Sequence, residues 1–205
     1  MAKLTYDFYS RDTLAVARGL LRKYLVRCTG ERIMVCMITD VEAYIGRIDK
    51  ACHAYNYNRT ARNAVMFGPP GRAYVYFIYG KYHCLNLVTE PEGEPCAVLI
   101  RGVLPVAGLN EISNNRFSAD YRDLGKYQRS NLLNGPGKLC RGLEITGGLN
   151  GEDLTGGRLF VCESAEDAGF SFDDGEIKRL QIKAGKRINV DYAEEAVDFP
   201  WRFHI

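Results

Sequence analysis

The segment ITDVEAY, residues 38–44, sets Asp40 and Glu42 two apart in a run whose β-branched and aromatic neighbours favour extended chain. In a strand, residues two apart share a face, so both carboxylates and Tyr44 point the same way. Such a pair could act as general acid and base, or one could activate a water that the other orients. For an arbitrary pair, two solvated carboxylates at a strand end would be the better reading. The company of Tyr44, and of His53 a short connection later, favours instead a pocket for a planar ligand.

Arg101 interrupts the apolar run CAVLIRGVLPV. A guanidinium there is costly unless a carboxylate or phosphate meets it, or the strand is an edge with its arginine in solvent. We favour the first. GPGK at 135–138 reads either as a phosphate contact through Lys138 or as an ordinary helix start, and it lacks the full spacing of a nucleotide-binding loop. YVYFIYGKYHCLN, 74–86, reads as two aromatic strands around Gly80-Lys81, which suit a two-residue type II′ turn. Tyr79 and Tyr82 then flank a tip that burial does not explain, which suggests contact with something outside the fold.

Other chemistries have no support. There is no G-x-S-x-G motif, and no cysteine pairs with a histidine as a nucleophile would require. Seven scattered cysteines without a C-x-x-C pair suit free thiols in a reducing compartment, and the three histidines form no metal signature with them. No apolar run approaches the roughly 20 residues of a membrane span, and the first 25 residues resemble neither a signal nor a transit peptide. Net charge is only +2, yet the charges are uneven. No acidic residue lies between Asp49 and Glu90, an interval holding Lys50, Arg59, Arg62, Arg72, Lys81 and six tyrosines. Basic residues among aromatics suit a nucleic-acid surface, cations meeting phosphates and rings stacking on bases; scattered surface charges over a tyrosine-rich core explain the composition about as well.

Certain elements must hold these residues. The sequence predicts a helix capped by Ser10 and running to about Lys23, with Leu14, Ala17, Leu21 and Tyr24 on one face. A long strand over 32–45 follows, then a polar connection with a short helix, the aromatic hairpin and a strand over 96–106. The stretch 109–146 is mainly helical and broken at Gly135-Pro136-Gly137, and short strands return after it. We expect one α+β domain over 1–205, with a curved, largely antiparallel sheet, a protruding aromatic hairpin and surrounding helices.

Five stretches together resemble one family. VEAYIGRIDKACHA (41–54), TARNAVMFGPPGRAYVYFIYGKYHCLN (60–86), AVLIRGVLP (97–105), GPGKLCRGL (135–143) and PWRFHI (200–205) are similar, in order, to the alkyladenine or 3-methyladenine DNA glycosylases of the mammalian type also found in bacteria. The resemblance implies an enzyme that flips a damaged purine out of duplex DNA and hydrolyses its N-glycosidic bond, without cofactor or lyase step. It implies Glu42 as general base and Arg101 as the arginine positioning the attacking water. Tyr44, His53 and Tyr76 would sandwich the base, Asn86 would disfavour the 2-amino group of guanine, and Tyr79 would be the wedge filling the vacated stack. Arg62, Lys81, Tyr82 and Lys138 would contact the DNA backbone. No lysine nucleophile is expected in the pocket, and protonation of a neutral base would fall to Asp40 or a water.

Lys81-Tyr82 and YNYN (55–58) depart from the family pattern and bear on substrate range. The implied partner is damaged duplex DNA, the implied state a monomer. The implied location is the bacterial cytoplasm with its nucleoid, or a eukaryotic nucleus. The alternative, a non-catalytic nucleic-acid-binding module with a tyrosine stacking platform, gives no reason for Glu42 among the rings; an accessory domain of the related formyltransferase-like fold predicts no base release, and neither accounts for the whole ordered set of motifs.

Overall fold

The computed structural model describes residues 2–205. In chain order it contains α1 (Tyr6–Tyr9), α2 (Thr13–Leu20), β1 (Tyr24–Thr29), β2 (Arg32–Ile45), β3 (Ala73–Ile78), β4 (Tyr82–Thr89) and β5 (Cys96–Ala107). Then come α3 (Leu109–Phe117), α4 (Lys126–Ser130), α5 (Pro136–Gly142), β6 (Leu159–Cys162), α6 (Gly175–Arg179), β7 (Lys183–Gly185) and β8 (Arg202–His204). All strand pairs are antiparallel, in the order β3-β4-β5-β2-β1-β6. The sheet curls around β2 into a half-barrel, so the mixed α+β architecture expected from the sequence is the one observed.

β2 organises the sheet because it serves two neighbours on one edge. Residues 32–37 pair with β1, and residues 40–42 pair with β8, while β5 runs along the other edge. Near its start β2 is buried on both faces: Met34, Cys36 and Ile38 join the main core with α2 and α5, and Val35 and Met37 join a second cluster with Tyr24 and Phe160. Burial on both faces is why that stretch reads as one continuous apolar run.

The phase of β2 then changes. Ile38 pairs with Val103, Asp40 with Gly102 and Val41 with Ile100, which leaves Thr39 and Arg101 as extra residues, one on each strand. A strand alternates with period two, so each extra residue hands the opposite parity to the core. Even-numbered Met34, Cys36 and Ile38 face the main core before the bulge, and odd-numbered Val41 and Ala43 after it. The bulge thereby keeps Asp40, Glu42 and Tyr44 off the core face.

Several local expectations shift. Asp12, not Ser10, caps α2, its Oδ1 accepting from the Ala15 N–H at 3.0 Å, and Ser10 instead closes α1. The helix stops at Leu20 because Arg22 takes a left-handed φ of 69° and donates its N–H to Ile38 O, which puts Tyr24 on β1. The hairpin loop has three residues rather than two: Ile78 pairs with Tyr82, the Lys81 N–H returns to Ile78 O at 3.2 Å, and Tyr79 and Gly80 at the centre of that turn are both left-handed, with φ of 54° and 64°. Positive φ at both central residues suits the right-handed twist of the flanking strands. Tyr79 therefore belongs to the turn rather than to β3. Pro136 and Gly137 do not break a helix but form the first turn of α5.

Candidate active site

Residues 160 positions apart form one lateral row on the sheet. Tyr74 pairs with Asn86, Asn86 with Leu99, Leu99 with Glu42, and Glu42 with Arg202. Directly opposed residues of antiparallel strands share a face, so the row lays an acid, an amide, an aromatic and a guanidinium side by side. Tyr76 and Cys84 form the next pair along the hairpin.

Glu42 lies in the row between Leu99 and Arg202 and is fully buried, 0% exposed. Its Oε1 accepts from the backbone N–H of Ile188 at 2.8 Å and lies 3.3 Å from Arg101 Nη1; its Oε2 accepts from the Tyr44 hydroxyl at 2.8 Å. Burial pushes the Glu42 carboxyl above its ordinary value, while Arg101, the Ile188 N–H and the Tyr44 hydroxyl pull it back down and Asp40 adds to the rise. Burial, and then the Glu42 charge, hold the Tyr44 hydroxyl firmly protonated. Arg101 thus has the buried carboxylate partner that an arginine in an apolar strand calls for. Asp40 shares Arg101 at 3.8 Å, but both its oxygens accept from Arg202, at 3.0 and 2.8 Å. A carboxylate so occupied is poorly placed to deliver a proton.

Two adjoining cavities open on this row, and Tyr44 and Tyr76 line both. The larger, of about 430 Å³, is also lined by Glu42, Arg101, Tyr79, Tyr82 and Lys138. The smaller, of about 40 Å³, takes His53, Asn86, Tyr74 and Cys52 into its wall. It holds about three waters at most, well short of a bicyclic base.

The His53 and Tyr76 rings meet edge to face with centroids 4.6 Å apart. Touching each other, they form one wall rather than two halves of a sandwich, and Tyr44 lines both cavities with Tyr76. His53 Nδ1 is 2.9 Å from the Tyr74 hydroxyl, and burial followed by nearby Arg62 lowers its basicity and favours the neutral ring. The Asn86 side chain is buried, its Nδ2 donating to Tyr74 O at 3.1 Å.

The remaining predicted residues are dispersed around the rim. Tyr79 is 75% exposed at the turn. Arg62 lies over the Tyr76 ring at 5.2 Å and donates to Phe77 O without itself lining either cavity, and Lys81 is exposed at the turn. The Tyr82 ring packs on Gly137, where a Cβ would come within 2.8 Å, so that glycine lets α5 approach the hairpin. Lys138 Nζ donates to Asn131 and Asn134 side-chain oxygens, each at 2.8 Å. Lys138 lines the large cavity because the α5 segment folds back across β4.

Some residues carried no readable signal. Arg116 and Arg141 line the large cavity as neighbouring cations; burial first, and then Arg141, depress the Arg116 guanidinium. Arg202 and Arg187 look like ordinary surface arginines in sequence. Ile188 contributes through its backbone N–H, which no residue type can reveal. Among the described residues, no group of three or more histidines, cysteines or carboxylates is placed to hold a metal ion, and no helix is long and apolar enough to cross a membrane.

The family model for methylpurine-DNA glycosylase matches residues 7–205. The chain is 49% identical to a protein of Alkaliphilus oremlandii, provisionally named 3-methyladenine DNA glycosylase, over 99% of this chain and 95% of that one. Proteins with the same provisional name from Desulfitobacterium hafniense and Clostridioides difficile are 46% and 44% identical, covering 100% and 97% of this chain and 96% and 98% of theirs. With a near full-length family match and relatives this similar along their whole length, the chain belongs to the methylpurine-DNA glycosylase family, enzymes that hydrolyse N-glycosyl bonds in DNA repair.

Proposed function

We propose that the protein takes a methylated purine out of duplex DNA into the seam between the two cavities and releases it by attack of a water activated by Glu42. The observation that carries this reading is the environment of Glu42. A carboxylate offers about four lone-pair sites. The Ile188 N–H and the Tyr44 hydroxyl occupy two, and the Arg101 guanidinium lies 3.3 Å from Oε1, which leaves a site for a water. As the water oxygen bonds to the sugar C1′, its proton passes to Glu42 and the electrons of the C1′–N bond leave with the base. A purine methylated at N3 or N7 carries positive charge and so departs neutral, without an acid.

Tyr44 on one side and the His53–Tyr76 wall on the other would hold the base, with cation–π attraction favouring the charged lesion. Because the small cavity is too tight for a purine, the base must part Tyr44 from Tyr76 as it enters. Asn86, at the back, would crowd the 2-amino group of guanine. Tyr79 at the turn would enter the gap left in the duplex, recovering part of the few kcal/mol that extrusion costs. Arg62, Lys81, Tyr82 and Lys138 would grip the backbone without reading sequence. Lys138 is held by two asparagines, which supports hydrolysis without a lyase step. The substrate is damaged duplex DNA, bound by a monomer at the nucleoid in bacteria such as those of its relatives.

The test is single-turnover base release from duplexes carrying 7-methylguanine or hypoxanthine, comparing wild type with Glu42→Gln and reading strand breaks with and without alkali. Alkali-dependent breaks that vanish in the variant are expected. Breaks without alkali would point to Lys138 as a Schiff-base nucleophile, and no release from any lesion would overturn the reading.

A further inference from the structure

Beneath Tyr44, on a side that faces neither cavity, lies a buried assembly that the chemistry above does not use. The Arg187 guanidinium, only 5% exposed, donates to both Asp49 oxygens, with Nη2 2.8 Å from Oδ1. It also donates to the backbone carbonyls of Ala43 at 2.9 Å and Ala196 at 3.1 Å. Its plane lies over two rings, 4.7 Å from the centroid of Tyr44 and 5.3 Å from that of Trp201. Asp49 is itself fixed, its Oδ1 accepting from the Ala51 N–H at 2.9 Å. The residue after Arg187 is Ile188, whose N–H holds Glu42 Oε1.

Resting on the glycosylase reading above, we infer that Arg187 is a positioning residue for the reaction: its clamp on Asp49, Ala43 and Ala196 fixes the Ile188 N–H on Glu42 and backs the Tyr44 ring on which the base stacks. Between β7, which ends at Gly185, and β8 the chain has only the short 3-10 helix Glu194–Asp198, so no strand ladder holds 186–190 in place. The guanidinium supplies the anchoring that a strand would otherwise provide, and a buried bidentate pair has the geometric specificity to do so. A buried ion pair is weak evidence for stability alone, which makes a role in placing the neighbouring amide the more informative reading.

The groups facing Glu42 are Asp40 and Tyr44 from β2, Arg101 from β5, Arg202 from β8, Cys84 from β4, and Arg187 with the Ile188 N–H from the connecting segment. Arg187→Lys keeps the charge at this position and removes the fork. In it the Ile188 N–H drifts from Glu42, and the carboxylate loses a donor that favours its charged form. Titration of the Glu42 side-chain carbon by NMR on the free protein should move upward by about one pH unit. The acidic limb of single-turnover release should move with it, and lesion-duplex affinity should fall as Tyr44 loosens. A second variant replaces the Arg187–Ile188 amide by a backbone ester through semisynthesis, which deletes only that N–H and leaves the clamp intact. It should show the titration shift with unchanged duplex affinity.

An unchanged Glu42 titration in either folded variant overturns the inference, as does an Arg187→Lys protein that merely melts earlier with wild-type titration and affinity. If Arg187→Lys does not fold, Asp49→Asn, which weakens the clamp at its carboxylate, decides by the same Glu42 titration. Because the titration needs no substrate, failure of the glycosylase reading would appear separately, as wild-type protein that releases no base.

Discussion

Arg101 Nη1 lies 3.3 Å from Glu42 Oε1 because Arg101 is the extra residue in β5, unpaired in its ladder with β2. The bulge re-aims the guanidinium along the sheet toward two carboxylates of the neighbouring strand, a use of bulges common beside active sites. Arg101→Met should therefore remove the strongest support for Glu42 as an anion, while Asp40 keeps its pairing with Arg202. Base release at neutral pH should drop about 10²-fold or more, with its acidic limb moved to higher pH, as read from single-turnover rates across pH. A profile of wild-type shape scaled down uniformly would mean that Arg101 does not tune Glu42.

The raised Glu42 carboxyl also makes a stability statement. In the unfolded chain this group titrates near 4.5, whereas in the folded protein burial keeps the proton to higher pH. Between the two values the folded state binds more protons, so stability contributed by the protonated group is full below 4.5 and is lost as pH rises through the folded value. The unfolding free energy of Glu42→Gln minus that of wild type should accordingly grow with pH above 4.5 and level off once Glu42 is ionised. Urea titrations at a series of pH values check this, and a constant difference would contradict it.

Tyr79 is 75% exposed on a turn whose left-handed φ its neighbour Gly80 shares. Tyr79→Ala should leave stability within about 0.5 kcal/mol. If its ring replaces a base in the stack, release from lesion duplexes should fall by about 10- to 100-fold, in keeping with ~1–3 kcal/mol for a stacked ring. Release from the same lesion in single-stranded DNA should hardly change. Equal losses on both substrates would argue against a wedge.

Arg141 is exposed and lines the large cavity near Arg116 and Lys138. As a phosphate contact it should contribute to the salt dependence of binding without reading sequence. Arg141→Ala should reduce the slope of log affinity against log salt by about 0.9, at undamaged and damaged duplex alike. An unchanged slope would place Arg141 outside the DNA footprint.

Much of this was legible in the residues themselves. The run 32–45 declares β2 to the residue, because eleven of its fourteen positions are apolar, β-branched or aromatic and offer no competing helix period. The pairing of Asp40, Glu42 and Tyr44 on one face follows from a period of two, and the cost of a charge in an apolar strand pointed to Arg101 as needing a partner. The ordered motifs carried the family.

The sequence could not say which face of β2 those carboxylates would take. Strict alternation from Met34, Cys36 and Ile38 would have sent Glu42 into the main core, and the extra residues Thr39 and Arg101 reverse that choice. A bulge of this kind is decided by how two whole strands settle against each other and the core, and local propensity carries almost no record of it. The same holds for Arg187, Arg202 and the Ile188 N–H, which reach Glu42 and its neighbours from about 150 residues away. Their roles arise from where the chain returns, and one of them is a backbone amide identical to every other. Residue chemistry and period thus decided what kind of site this protein could build, and tertiary packing decided which way it faces and what holds it there.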